Sequence, residues 1–199
     1  MRIVLATNNK DKIKEIRRIL SGLPAEVLTL EDFPGFPKVK ETGKTLKENA
    51  ILKAESIFRF TQLPSLADDS GLEVEVLNGA PGVLSSRFAG EHCSYQDNNR
   101  KLLLMMKDVP PEKRGAKFVC VVAIARGIDK ITAVRGEVKG VITEEEKGEN
   151  GFGYDPVFFI PRLNRTFAQL TLDKKNKISH RAQAFTKAKE LILKGFLND

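Results

Sequence analysis

The sequence predicts an α/β fold with a mixed β-sheet, and three observations support this prediction. The apolar run at residues 3–6 precedes apolar residues at helical spacing up to Leu20, as in a buried strand that leads into a helix. Two long strand-like segments, 118–126 and 131–142, lie on either side of Gly127 and predict a hairpin. Further helical patterns alternate with strand patterns. We expect a single domain over residues 1–199, without a linker.

Composition favours an anionic partner. The formal net charge is +7, but the lysines and arginines are spread along the chain without a long basic run. A nucleic-acid-binding module is the alternative, although the chain has no Trp, only 2 Tyr and no alternation of basic and aromatic residues. The longest apolar run is too short to span a bilayer, and the N-terminal segment is too short for a signal-peptide core. We therefore expect a cytoplasmic protein without a membrane partner.

A polar turn between the first strand and the first helix is the first candidate site. Because the N–H groups at a helix N-terminus are unpaired, such a turn is suited to bind an anion, and two lysines add positive charge. An ordinary capped helix without a ligand is the alternative, since no Walker loop occurs anywhere in the sequence. The candidate substrate-binding residues of this turn are Thr7, Asn8, Asn9, Lys10, Asp11 and Lys12.

The second helix is predicted to begin with a capping box at Thr45 and Glu48 and to continue to residue 58. Glu41 lies in the preceding loop. Lys53 lies beside the apolar stripe of this helix, where its ammonium group either reaches into a cleft or extends to solvent. The sequence leaves both possibilities open.

Two adjacent carboxylates, Asp68 and Asp69, follow a short apolar run and precede a predicted break at Ser70 and Gly71. Like charges at neighbouring positions repel, so a cation is expected to compensate them, most simply a divalent metal that prefers oxygen ligands. An acidic turn is the alternative interpretation. On an extended strand the two side chains would point to opposite faces, so both reach one ion only if the chain bends at Ser70 and Gly71.

Two further segments carry candidate ligand contacts. In the loop that contains Phe152, Gly153, Tyr154 and Asp155, the glycines permit close approach of a planar ligand, and Phe152 offers a ring for stacking. Near the C-terminus, Ser179 is expected to cap a final helix, where donors for phosphate or carbonyl oxygens gather. These donors are Lys175, His180 and Arg181. A plain turn and a solvated basic segment are the respective alternatives.

The residue types exclude several chemistries. The only two histidines, His92 and His180, belong to no nucleophile motif, and the chain has no Cys/His cluster for zinc. The remaining candidates are oxygen ligands and lysines, a combination that favours a Mg²⁺-assisted phosphate site. The oxygen ligands are Glu41, Asp68 and Asp69, and the lysines are Lys12, Lys53 and Lys175.

Seven motifs, in the same order over nearly the whole chain, resemble the inosine triphosphatase family of XTP/dITP diphosphatases. They are Thr7-x-Asn9-x-x-Lys12, Glu41-Thr42-Gly43, Glu48-Asn49-Ala50-x-x-Lys53-Ala54, Ala67-Asp68-Asp69-Ser70-Gly71-Leu72, Gly79-Ala80-Pro81-Gly82, Gly151-Phe152-Gly153-Tyr154-Asp155-Pro156 and Lys175-Asn176-x-Ile178-Ser179-His180-Arg181. The resemblance implies two lobes around a long twisted sheet with flanking helices, a central substrate groove and a homodimer. It also implies hydrolysis of XTP, dITP and ITP to the monophosphate and pyrophosphate, with Mg²⁺, or Mn²⁺ in its place, as cofactor and no stable nucleic-acid partner.

The resemblance also assigns roles to residues. Glu41 and Asp69 would hold the metal, and Asp69 would accept the proton of the attacking water, with Asp68 nearby as an indirect or further ligand. Residues that would bind the phosphates are Thr7, Asn9, Lys12, Lys53 and Ser70. Phe152 would stack on the purine, and the residues that would complete nucleotide recognition are Asp155, Lys175, His180 and Arg181. A relative that acts on other nucleotides, such as a pyrimidine pyrophosphatase, remains the alternative within this chemistry.

Overall fold

Seven strands form one mixed sheet in the order β2-β1-β3-β4-β5-β6-β7. The computed structural model describes residues 1–196, with the backbone alone for Phe196. The strands are β1 (Arg2–Leu5), β2 (Glu26–Thr29), β3 (Ser65–Val74), β4 (Gly115–Ala125), β5 (Ile131–Ile142), β6 (Phe158–Ile160) and β7 (Arg165–Thr166). β1 is parallel to β2 and β3, whereas β6 is antiparallel to β5 and β7. The predicted α/β class with a mixed sheet is confirmed.

Five α-helices accompany the strands within residues 1–196: α1 (Lys10–Ile19), α2 (Leu46–Thr61), α3 (Tyr95–Met105), α4 (Leu172–Ile178) and α5 (His180–Phe196). Thr45 caps α2, as its sequence motif predicts, and Asn9 caps α1. No helix in this part of the chain has both the length and the apolar surface that crossing a membrane requires.

Two corrections concern the segments that carry charge. The predicted break at Ser70 and Gly71 is wrong, because β3 runs without interruption from Ser65 to Val74. The sequence patterns also missed helix α4, which contains Lys175, so Lys175 belongs to α4 rather than to the start of the final helix. Ser179 separates the two helices.

The chain folds into two compact units. The first unit contains residues 1–69, residues 120–136 and the chain from His180, and its core includes Ile3, Ile16, Val122, Phe185 and Ile192. The second unit contains residues 70–119 and 137–179. Its core includes a cluster of three aromatic rings, with the Phe118 centroid 4.5 Å from that of Phe158 and 5.9 Å from that of Phe167.

Candidate active site

In the first unit, strand β3 directs its two adjacent carboxylates to different partners. Side chains of successive strand residues point to opposite faces of the sheet. Asp68 and Asp69 are both buried, so the alternative of an exposed acidic turn is wrong. Since no turn interrupts β3 at Ser70 and Gly71, the bend that both carboxylates would need to reach one metal ion is not present there.

Asp68 is held by two cations. Lys12 Nζ donates a hydrogen bond to Asp68 Oδ2 at 2.8 Å, and Arg181 Nε lies 3.8 Å from the same oxygen. Burial raises the pKa of Asp68, but the positive charges of Lys12 and Arg181 outweigh this effect and hold the pKa well below its ordinary value. The carboxylate of Asp68 is therefore fully ionised at neutral pH.

Asp69 has a different environment. Lys53 Nζ donates to Asp69 Oδ1 at 2.8 Å and to Glu41 Oε1 at 2.9 Å, while Asn49 Nδ2 donates to Asp69 Oδ2 at 3.3 Å. Burial raises the pKa of Asp69 by more than the Lys53 ammonium lowers it. The Lys53 side chain thus points towards the carboxylates rather than to solvent, and it stays protonated because their charges raise its pKa against the effect of burial.

The predicted anion site at the start of α1 has the expected backbone. Asn9 Oδ1 accepts a hydrogen bond from Lys12 N at 3.0 Å, and Thr7 Oγ1 accepts one from Asn9 N at 3.2 Å. These bonds fix the turn from which the Lys12 side chain extends to Asp68. The other three candidates in the turn, Asn8, Lys10 and Asp11, are exposed.

Glu41 and Asp69, the two predicted metal ligands, bind the same ammonium group. Within residues 1–196, no three His, Cys, Asp or Glu side chains are grouped closely enough to hold a metal ion. Nevertheless, both carboxylates reach Lys53 Nζ, so they can approach a single cation. Their oxygen chemistry fits Mg²⁺ or Mn²⁺, and ligands beyond these two would have to come from substrate phosphates and water.

Glu15 is a charged residue of this site that the sequence interpretation missed. Its Oε2 accepts a hydrogen bond from Arg181 Nη1 at 2.5 Å, and both side chains are buried. The available clue was position, because Glu15 lies four residues before Ile19 on the apolar face of α1, where a carboxylate needs a partner. The guanidinium of Arg181 therefore contacts carboxylates within the first unit, and its predicted contact with the base remains a prediction. His180 is likewise buried in this unit.

The second unit contains the predicted stacking residue. Phe152 N donates to Asp155 Oδ2 at 2.9 Å, and Lys175 Nζ donates to the same oxygen at 2.5 Å. Lys175 Nζ also lies 4.8 Å from the centroid of the Phe152 ring and 5.6 Å from that of Phe167. This ammonium group is buried between a carboxylate and two aromatic faces, an arrangement that stabilises its charge and orients the Phe152 ring.

Helix α3 supports the same loop through two residues that the sequence did not single out. The Tyr95 ring centroid lies 5.9 Å from that of Phe152, and Asn99 Nδ2 donates to Gly153 O at 3.2 Å. Tyr95 and Asn99 are one helical turn apart, so both occupy the same face of α3. No local motif indicates this contact, because Asn99 and Gly153 are far apart in sequence.

Comparison with known proteins identifies relatives over almost the whole chain. The sequence model of the Ham1 family matches residues 3–191. A dITP/XTP pyrophosphatase from Desulforamulus reducens is 50% identical over 192 residues, which are 96% of each chain. One from Geobacter sulfurreducens is 49% identical over 95% of each chain. The structure of a HAM1 protein from Coxiella burnetii is 39% identical with a TM-score of 0.90, covering 98% of this chain and 99% of that one.

Proposed function

This chain belongs to the Ham1 family, and we propose that it hydrolyses dITP, XTP and ITP to the monophosphate and pyrophosphate. Removal of these deaminated purine nucleotides would prevent their incorporation into DNA and RNA. The observation that best supports this chemistry is the pair of contacts by which Lys53 holds both Asp69 and Glu41. A buried carboxylate that an ammonium group orients is suited to activate water.

Asp69 is proposed as the general base. Its pKa is raised by burial, so the carboxylate accepts a proton more readily than an ordinary exposed aspartate. Lys53 Nζ fixes the orientation of this carboxylate at 2.8 Å. The base would take a proton from water as its oxygen attacks the α-phosphorus, and pyrophosphate would leave. Asp68 would contribute indirectly, by holding Lys12 in place.

Glu41 and Asp69 are proposed as the protein ligands of Mg²⁺, or of Mn²⁺ in its place. When bound, the metal supplies positive charge that makes both water deprotonation and departure of pyrophosphate easier. This proposal predicts that Glu41→Gln raises the Mg²⁺ concentration needed for half-maximal activity, because a neutral amide is a weaker ligand for a hard cation. Titration of the initial rate with Mg²⁺ measures the change, and an unaltered dependence would remove Glu41 from the metal site.

The phosphates are assigned to the first unit. The α1 N-terminus offers backbone N–H groups, and the side chains proposed to bind phosphate oxygens are Thr7, Asn9, Lys12 and Lys53. The family resemblance adds Ser70, the residue that follows Asp69. The exposed residues Asn8, Lys10 and Asp11 would complete the turn around the triphosphate.

The base is assigned to Phe152, whose ring would stack on the purine, while Gly153, Tyr154 and Asp155 shape the loop around it. Hypoxanthine and xanthine carry a 6-keto acceptor where adenine carries a 6-amino donor, so a donor at this position favours the deaminated bases. The candidate donors are Lys175, His180 and Arg181. Guanine shares the 6-keto group, so its rejection must depend on the 2-amino group.

A homodimer that acts in the cytoplasm, without a membrane or nucleic-acid partner, completes the proposal. The dimer comes from the family resemblance, whereas the location is our expectation from the sequence. Size-exclusion chromatography with light scattering would test the homodimer, because a monomeric mass would contradict it.

The decisive experiment is a panel of nucleoside triphosphates incubated with the protein and Mg²⁺, with every product identified by chromatography. We expect dITP, XTP and ITP to give monophosphate and pyrophosphate at far higher kcat/KM than ATP, GTP, CTP or UTP. Release of single phosphates from the γ position would refute attack at the α-phosphorus. Preferential hydrolysis of a pyrimidine nucleotide would instead support a relative with a different substrate. Mobility shift of a nucleic acid without any turnover would favour the binding-module alternative.

A further inference from the structure

The motif Gly79-Ala80-Pro81-Gly82 has no role in the site described above, yet it leads into a short element of two turns that contacts strand β3 and the loop that carries Phe152. This element is the 3₁₀ helix Gly82–Arg87, in the second unit, and Ser85 is its buried residue. Ser85 Oγ accepts a hydrogen bond from Leu72 N at 2.9 Å and donates one to Gly82 O at 2.6 Å. The Ser85 side chain therefore joins this element to strand β3.

Gly71 brings the two backbones into direct contact. A Cβ atom at Gly71 would collide with the carbonyl oxygen of Gly82 and would crowd Ser85 Oγ. Only glycine allows this approach without displacement of the backbone. Leu72 N would lack its Ser85 partner if the two segments moved apart, and a buried N–H group without a partner is costly. The segment of β3 that directly follows Asp69 and Ser70 is thus fixed against the 3₁₀ helix.

The backbone of the same serine also contacts the proposed base-binding loop. Tyr154 Oη donates to Ser85 O at 3.0 Å, and Tyr154 is only 4% exposed. Burial raises the pKa of Tyr154, so its hydroxyl remains a donor throughout the neutral and mildly alkaline range. Tyr154 lies between Gly153 and Asp155, and this bond therefore limits movement of the loop that carries Phe152.

We propose that Ser85 is a positioning residue for the hydrolytic reaction, a proposal that rests on the function given above. Its side chain fixes β3 beside the catalytic carboxylate, and its carbonyl oxygen fixes the base-binding loop. The two connections use different atoms of one residue, so separate substitutions can remove them. If Ser85 had a structural role alone, its substitution would lower the stability of the fold without changing kcat and KM selectively.

Ser85→Ala removes both hydrogen bonds of the hydroxyl and leaves the carbonyl bond to Tyr154. We expect kcat for dITP to fall by about ten- to a hundredfold, since a shift of about 1 Å in a reacting group has an effect of this size. The KM for dITP should change by less than about threefold, because the base-binding loop keeps its anchor.

Tyr154→Phe removes only the bond to the loop. We expect KM for dITP to rise by about two- to tenfold, the usual range for loss of one hydrogen bond, while kcat stays within about threefold. The test is that Ser85→Ala changes kcat whereas Tyr154→Phe changes KM. Equal effects on kcat and KM in both, or a Ser85→Ala enzyme with wild-type kcat and KM, would overturn the proposal.

Ser86→Ala is the matched control, because Ser86 is the next residue of the same 3₁₀ helix and is exposed. We expect wild-type kinetics from this variant. Ser85→Thr keeps a hydroxyl and should recover most of the lost kcat, whereas a Thr variant as slow as Ser85→Ala would overturn the proposal that the hydroxyl acts through its hydrogen bonds. Thermal unfolding followed by circular dichroism verifies that each variant is folded at the assay temperature.

If Ser85→Ala does not fold, Ser85→Cys replaces it, because a thiol has a similar shape but is a weak donor and acceptor. A reduced kcat with unchanged KM supports the proposal, and wild-type kcat overturns it. The wild-type product analysis is carried out first. Failure of the wild type to release pyrophosphate from dITP refutes the proposed function itself, whereas normal wild-type products with an unaffected Ser85 variant refute only this inference.

Discussion

Replacing Glu15 with glutamine should destabilise the folded protein by about 3 kcal/mol, because it removes one charge of a buried ion pair. Arg181 Nη1 lies 2.5 Å from Glu15 Oε2, and the two side chains are each only 3% exposed. Loss of one partner from such a pair costs about 3–5 kcal/mol. We take the lower end because glutamine still offers an oxygen to Arg181, and Asp68 remains 3.8 Å from Arg181 Nε.

Glu55→Gln is the matched control for this prediction. Glu55 Oε1 is 2.6 Å from Arg59 Nη2, nearly the same distance, but Arg59 is 55% exposed and the pair is of the i,i+4 type on α2. Solvent screens such a pair, so the expected loss is at most about 0.5 kcal/mol. The comparison therefore isolates burial while residue type, partner type and distance are kept similar.

Urea unfolding, followed by far-ultraviolet circular dichroism because the chain has no Trp, measures both free energies of unfolding. For a chain of this length, 1 kcal/mol corresponds to about 2–4 °C in Tm, so Glu15→Gln should lower Tm by about 6–12 °C. Glu55→Gln should lower it by about 1–2 °C. If both variants lost the same free energy, the argument that burial makes the Arg181 pair essential would be wrong.

Three further substitutions test the site. Asp69→Asn should lower kcat by at least about a hundredfold with an unchanged circular dichroism spectrum, and near-normal turnover would exclude Asp69 as the base. Phe152→Ala should raise KM for ITP, dITP and XTP alike by about tenfold, since stacking contributes affinity without selectivity, and a selective effect on one base in steady-state assays would contradict stacking. The destabilisation caused by Tyr154→Phe should shrink at alkaline pH. Burial raises the pKa of Tyr154 above its ordinary value of 10.0, so above that pH the folded state retains a proton that the unfolded state has lost. Relative to Tyr154→Phe, the free energy of unfolding of the wild type then falls by about 1.4 kcal/mol per pH unit. Urea unfolding of both proteins at pH 9, 10 and 11 measures this difference, and a difference that stays constant would contradict the reasoning.

The regular parts of the fold were predictable because local spacing determines them. Helix α1 follows from the apolar spacing, whereas the sequence offered both Asn8 and Asn9 as its cap and the structure has Asn9. The continuity of strand β3 through Ser70 and Gly71 was not predictable, since these two residues are typical of a turn. Gly71 occurs in the strand for a tertiary reason, namely that the carbonyl oxygen of Gly82 occupies the space of a Cβ atom. Local patterns contain no information about such contacts.

The candidate site was predictable in its residue types but not in its pairings. Lys53 could equally have extended to solvent, and only the folded structure places its ammonium group against Asp69 and Glu41. The Arg181 pair illustrates the same limit, because the sequence indicated a cation near the last helix but not Glu15 as its partner. A partner distant in sequence leaves no mark on the local pattern.

The two aspartates of β3 show how one geometric rule can give identical residues different chemistry. Because adjacent strand residues point to opposite faces, Asp68 meets Lys12 and Arg181, whereas Asp69 meets Lys53. Two cations overcome the effect of burial at Asp68 and lower its pKa, while at Asp69 burial prevails and raises the pKa. A carboxylate with a low pKa is a poor proton acceptor but a dependable anchor for Lys12, and one with a raised pKa is the better base. A turn at Ser70 and Gly71 would have brought both carboxylates to one side and removed this distinction, so the unbroken course of β3 allows the two aspartates to have separate roles.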